Sequence, residues 1–211
     1  METDLDPFKP ERTRDKENAK QAVLDFVEGA VSGDIDRMKA SFDGLEIGAN
    51  DGGEWVSAMR AASRLTLVPR ATQEFFLQLC LDQGEHIRQE CTDLVFLAGL
   101  RILLPKYDGP AIRLYRGESF HNRSRRTYGL SWTAGIEVAR EFAQSRLHQT
   151  SNGGSVLLET LAPPDAIICA PFLLDNRYAE NEYIVDRRCL ASVKAIERFS
   201  QLSHDQFRCG S

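Results

Sequence analysis

What most limits the fold of this chain is a change of hydrophobic period at Pro110. Before it, apolar residues recur every three or four positions, the spacing of a helix face. After it they come in short β-prone runs separated by turn residues. A chain with both periods, segregated in this way, reads as helices followed by a sheet.

In the first part, Ala19, Val23, Phe26, Val27 and Ala30 predict a helix from about Arg14 that ends near Gly33. Ile35, Met38 and Phe42 predict a short second helix, and the glycine-rich stretch 44–53 a loop. Trp55, Met59, Ala62 and Leu65 form a third stripe. Pro69 interrupts it, and Phe75, Phe76, Leu79 and Leu81 resume the pattern. A last helix is expected over Glu85–Leu104, with Ile87, Cys91, Leu94, Leu97 and Leu100 inward. Pro105 and the turn Asp108-Gly109-Pro110 end it. His86 lies in a polar part of that helix and reads as solvated or capping. Residues 1–12, with Pro7 and Pro10 among charges, are expected to lack fixed structure.

In the second part, strands are expected over Ile112–Arg116, Tyr128–Thr133, Ser155–Thr160, Ala166–Ala170, Tyr183–Asp186 and Ser192–Phe199. A single strong helix, Gly135–Leu147, falls among them. Strands and helices do not alternate, which argues against a doubly wound parallel sheet and for an α+β fold with mostly antiparallel pairing. The expected division is a helical region over 13–109, a β-rich core over 110–200 and a tail over 201–211.

Composition narrows the function. The net charge of −5 argues against general affinity for a phosphate backbone. Arg123, Arg125 and Arg126 form a local exception, most simply a solvated loop. The cysteines, odd in number, show neither CxxC pairing nor zinc-ligand spacing, so no metal is expected and a reduced, cytoplasmic setting is. The acidic N-terminus is not followed by an apolar run and does not read as a signal peptide. The apolar patch over Leu94–Leu104 is broken by Gly99 and Arg101 and is too short for a membrane span. G-x-G-x-x-G after a strand, the phosphate-binding P-loop and the G-x-S-x-G elbow are all missing.

Three short segments carry candidate chemistry. Arg116 ends an apolar run and is followed by Gly117. A planar guanidinium can grip phosphate in two places, and glycine admits close approach to the backbone. Ser131 and Thr133 are two apart on an expected strand and share a face, with Trp132 directed to the other side as a core residue. Glu180 and Glu182 are likewise two apart, roughly 7 Å by strand rise, close enough for their charges to interact. Taken singly, each segment has a plain alternative: a strand-end ion pair, ordinary strand hydroxyls, a charged strand entrance.

Taken in order, Tyr-Arg-Gly at 115–117, Ser131-Trp132-Thr133 and Glu180-Asn181-Glu182 resemble the arginine, serine-threonine, Glu-x-Glu signature of the mono-ADP-ribosyltransferase superfamily. The resemblance covers Ile112 to about Phe199. It departs at Trp132, where the family often has threonine or serine. It implies a split, mixed β-sheet core that binds NAD, as substrate, in a central cleft. Arg116 would hold the phosphates or adjacent ribose, and Gly117 would offer backbone to the nicotinamide amide. Ser131, with Thr133 beside it, would bond the nicotinamide-side ribose. Glu182 would be the catalytic glutamate, Glu180 would face the acceptor, and Tyr178 would contact it. The implied activity is transfer of ADP-ribose to a macromolecule, a protein arginine being favoured over nucleic acid, in the cytoplasm or as an effector delivered into another cell. Transfer to nucleic acid or to water remains open within that chemistry. Outside it stand a non-catalytic interaction protein and, on the paired carboxylates alone, a glycoside hydrolase.

Overall fold

The computed structural model describes residues 9–47, 54–145, 153–170 and 182–201. The chain divides into two compact units between Lys106 and Tyr107, three residues before the division expected from sequence.

The first unit is helical: α1 (Lys9–Ser32), α2 (Ile35–Ile47), α3 (Glu54–Ala62), α4 (Arg70–Glu90) and α5 (Asp93–Leu103). α1 begins earlier than expected, with Pro10 in its first turn, where a missing N–H costs nothing. Gly33 closes α1 at φ 76°, and its N–H bonds back to the Gly29 carbonyl. Asp34 then caps α2, its carboxylate accepting from the Arg37 N–H. The core is aromatic: Phe26 meets Trp55 and Phe76 edge-on at ring-centroid distances of 5.9 and 6.1 Å.

Two further expectations change here. α2 runs through Gly44 to Ile47, so the loop expected over 44–53 begins later, and 48–53 lie outside the described residues. The expected helix over Glu85–Leu104 is two helices, broken at Cys91 and Thr92, which take extended backbone angles. The break resets the phase. Phe96, Leu97, Leu100 and Leu103 face inward while Leu94 is 66% exposed. Arg88 and Asp93 pair across the break at 3.1 Å. His86 bonds the Glu46 carboxylate at 2.9 Å.

The second unit holds β1 (Ile112–Ser119), α6 (Phe120–Arg125), β2 (Ser131–Thr133), α7 (Ile136–Ala143), β3 (Ser155–Ala162), β4 (Ile167–Cys169), β5 (Glu182–Val185) and β6 (Val193–Phe199). The strands form one sheet in the order β4-β5-β2-β1-β3-β6, and every pair is antiparallel. The fold is thus α+β with an antiparallel sheet. The sheet expected from the resemblance was split and mixed. The described strands contain no parallel pair, and the sheet stays joined, though narrowly. β1 and β3 pair along their whole length, from Ile112↔Ala162 to Ser119↔Ser155, whereas β1 and β2 share only Tyr115↔Thr133.

α7 packs on one face of the sheet at this narrow seam. A Cβ on Gly117 would lie 2.3 Å from the Ala143 backbone N and 2.5 Å from the Ala139 carbonyl. The other face carries Leu114, Trp132, Val156, Leu158 and Val185 in a core closed by Tyr107 and Tyr128. No helix among the described residues is long and apolar enough to cross a membrane.

Candidate functional site

Register and pleat decide which side chains meet. Tyr115 lies opposite Thr133, and Thr133 opposite Glu182, so the three share a face over about 10 Å, two strand spacings. Ser131, two before Thr133, and Gly117, two after Tyr115, join that face by alternation. Here α7 stands off the sheet and leaves a cleft of about 290 Å³. Tyr115, Gly117, Ser131, Thr133 and Glu182 line it with Arg116 and Trp132, and α7 adds Val138, Ala139 and Phe142. Phe142 is 52% exposed at this wall.

The structure thus brings Arg116, Gly117, Ser131, Thr133 and Glu182 to one cleft. Glu180 and Tyr178 lie outside the described residues. The individual settings differ from what the sequence suggests. Alternation along β1 sends Arg116 to the face opposite Glu182, with Leu114 and Glu118. Its Nε donates to Glu118 Oε2 at 2.9 Å and its Nη1 to the Ser131 carbonyl at 2.5 Å. The guanidinium therefore braces β2 from behind, two of its nitrogens already engaged. The side-chain space that Gly117 leaves open is taken by the α7 backbone. Thr133 Oγ1 accepts the Gly135 N–H at 3.0 Å and so fixes the entry to α7. Ser131 is exposed and Glu182 half-buried, each with its side chain at the cleft wall.

The residue that sequence reasoning missed is Glu118. It is 1% exposed and accepts four hydrogen bonds. Oε1 takes the Ser119 N–H at 2.9 Å and Asn122 Nδ2 at 3.0 Å, and Oε2 takes Arg116 Nε and the Gly129 N–H at 3.1 Å. Burial alone would raise its pKa. The Arg116 charge and the hydrogen bonds from Arg116, Asn122 and Gly129 outweigh that and hold it below the ordinary carboxylate value. A clue was present in sequence: Arg116 and Glu118 are two apart in a strand and so share a face. Tyr115 and Phe142 were given no role of their own: Tyr115 stood only within the Tyr-Arg-Gly segment and Phe142 only within the helix expected over Gly135–Leu147.

On the neighbouring strand β4, burial pushes the Cys169 thiol up to about 12, and the negative charge of Glu182 adds to the shift. Cys169 is thus a buried neighbour of the candidate glutamate and an inert one. Among the described residues, His, Cys, Asp and Glu form no group able to hold a metal ion. Chemically, the cleft offers a carboxylate, a hydroxyl and an apolar wall. Comparison with protein-family models, with curated proteins and with solved structures finds no match to this chain.

Proposed function

We propose that the chain is an NAD-dependent mono-ADP-ribosyltransferase that moves ADP-ribose onto a macromolecular acceptor, a protein arginine favoured, and releases nicotinamide. One observation carries the reading: three segments that resemble the family signature, separated in sequence by up to 66 positions between Arg116 and Glu182, line a single cleft at the seam of the sheet. The volume, about 290 Å³, is at the lower end of small-molecule sites, roughly 300–1,000 Å³. It suits a flat base and its ribose, with the rest of the dinucleotide along the open edge. Val138 and Phe142 supply an apolar wall for the ring.

NAD would supply a sugar carbon whose bond to nicotinamide breaks with positive charge developing on the ribose. In this reading Glu182 accepts a hydrogen bond from the ribose 2′-hydroxyl, and its negative charge lies where the positive charge grows. Ser131 bonds the same ribose. Arg116 fixes Ser131 from the far face through its carbonyl, a positioning role in place of the phosphate contact that the resemblance implies. A protonated arginine acceptor must be oriented and must lose a proton as the new bond to the sugar forms. The resemblance assigns that task to Glu180, with Tyr178 contacting the acceptor.

The test is incubation of the full chain with NAD labelled in the adenylate half, with cell lysate as the source of acceptors. Labelled protein and stoichiometric free nicotinamide are expected. Glu182→Gln should cut the rate by about 10²–10³-fold, the size of losing one preorganised electrostatic contact, without altering the fold. Nicotinamide release with no labelled macromolecule would make water the acceptor, and nuclease-sensitive label would make it nucleic acid. Neither label nor nicotinamide, together with no NAD binding by calorimetry, would leave a non-catalytic interaction protein.

A further inference from the structure

A second pocket in the same unit shares no lining residue with the seam cleft. It measures about 410 Å³ and lies between the loop after α6 and the segment that joins β5 to β6. Arg123 lines it from α6, Arg126 from the loop that follows, and Arg187 and Arg188 from the joining segment, with Tyr128 and Ser192 beside them. Four arginines thus line one concavity in a chain whose net charge is −5.

Two of the four are held in position. Arg187 Nη1 donates to the Tyr128 carbonyl at 2.8 Å. Arg188 donates from Nε and Nη2 to the two oxygens of buried Asp186, at 2.9 and 2.8 Å. The other two make no ion pair among the described residues, and the Nε of Arg123 is buried without a hydrogen-bond partner. Arg126 adds a further sign. Among the described residues it is the one non-glycine residue at positive φ, 56°, at the end of α6, where glycine would be unstrained. The backbone tolerates strain there and a guanidinium is kept at the pocket.

Arginines clustered at this density create a field that a compact anion would neutralise. Arg123 and Arg126 each offer a planar fork that can meet a phosphate group, while Arg187 and Arg188, held by the Tyr128 carbonyl and Asp186, add positive charge beside them. The volume also falls within the small-molecule range of roughly 300–1,000 Å³. We propose that this pocket binds a small phosphate-bearing ligand. A long nucleic acid fits less well, because the overall negative charge opposes a polyanion beyond the pocket itself. The proposal does not rest on the transferase reading, since none of these arginines touches the seam cleft.

Calorimetry of the full chain with inorganic pyrophosphate, and separately with ADP, tests it. Both should bind at one site, more weakly as salt rises, and adenosine should not bind. Arg123→Gln and Arg126→Gly should each weaken binding roughly tenfold or more, the loss expected for a charge-assisted contact. Arg126→Gly should melt no lower than the parent, because glycine relieves the positive φ, so that lost binding cannot be put down to misfolding. Glu182→Gln should leave pyrophosphate binding unchanged. Failure of both probes to bind would overturn the proposal. Indifference to both arginine substitutions would do the same, and so would binding of a single-stranded oligonucleotide without binding of pyrophosphate.

Discussion

Replacing Glu118 by glutamine tests the physical basis of the seam. The substitution keeps the shape, removes the charge and turns one of two acceptor oxygens into a donor. As it stands, each oxygen serves two donors. If the amide oxygen keeps Arg116 Nε and the Gly129 N–H, the new NH₂ faces Asn122 Nδ2 and the Ser119 N–H. Asn122 can turn its amide over, and the Thr127 hydroxyl that now meets Asn122 Oδ1 can turn with it. The Ser119 N–H is fixed by backbone and cannot. The variant therefore loses one charge-assisted pair and leaves at least one buried donor unmet, a cost of about 2–4 kcal/mol.

The cost should depend on pH in a set direction. The pKa of Glu118 is lowered in the folded chain, so its stabilisation is fully present above its ordinary value near 4.5 and is lost as pH falls through the folded value. The gap between parent and variant should be largest near neutrality and close progressively below about pH 4.5, since protonated Glu118 resembles glutamine. Trp132 is a suitable reporter, being 1% exposed with its Nε1 donating to the Gly129 carbonyl. Urea unfolding followed by Trp132 fluorescence, in a Trp55→Phe background that silences the helical unit, gives the difference. A cost below about 1 kcal/mol at pH 7, or a gap that widens on acidification, would refute the account.

Three further outcomes follow from the same geometry. Gly117→Ala should destabilise the β-rich unit by about 1–3 kcal/mol or more, because the new methyl meets α7 backbone on both sides; thermal melts of the same Trp132 signal check this, and an unshifted melt would contradict the contact. Cys169, its thiol raised to about 12, should resist alkylation at pH 8 in the folded chain and react only after denaturation, as mass spectrometry of iodoacetamide-treated protein would show. The pKa of His86 is raised, first by its hydrogen bond to Glu46 and then by that carboxylate's charge, so its contribution is present at pH 6 and fades as pH rises through the folded value. Both partners are largely exposed, so the effect is small; His86→Gln should abolish it, and an identical pH slope in parent and variant would count against the pair.

The strands were legible because β-prone runs bounded by Gly, Pro and Asp are local signals. Ile112, Ser155 and Val193 begin or adjoin strands where the pattern changes. α6 was not legible: it is six residues long, polar, and started by Ser119 accepting the Asn122 N–H rather than by an apolar stripe. The break at Cys91 and Thr92 carries no glycine or proline, so nothing local announced it. The cleft residues Arg116, Ser131 and Glu182 were found through their order, but Glu118 was not. Its four donors come from β1, α6 and the loop before β2, and only folding gathers them. A glutamate in a strand reads as a surface charge until its partners are in place. Gly117 shows the converse. Its residue type was legible, but whether a ligand or a helix would occupy the space was a tertiary matter.

The cleft and the charge pair are two sides of one arrangement. Because β1 and β2 share a single register pair, the backbone ladder does little to join the halves of the sheet there. Side chains take over from the far face: Arg116 bonds the Ser131 carbonyl, and Glu118 bonds the Gly129 N–H just before β2. These contacts cross the seam without filling the α7 face, where the missing ladder leaves room. Ser131, Thr133 and Glu182 belong to one half, since β2 and β5 pair from Ser131↔Ile184 to Thr133↔Glu182. Tyr115 and Gly117 belong to the other, tied to β3 along its length. A ligand in the cleft would touch both halves. The buried ion pair behind it then fixes the distance between the residues that such a ligand must reach, which explains why a carboxylate outside the cleft wall is among the most heavily hydrogen-bonded side chains in the unit.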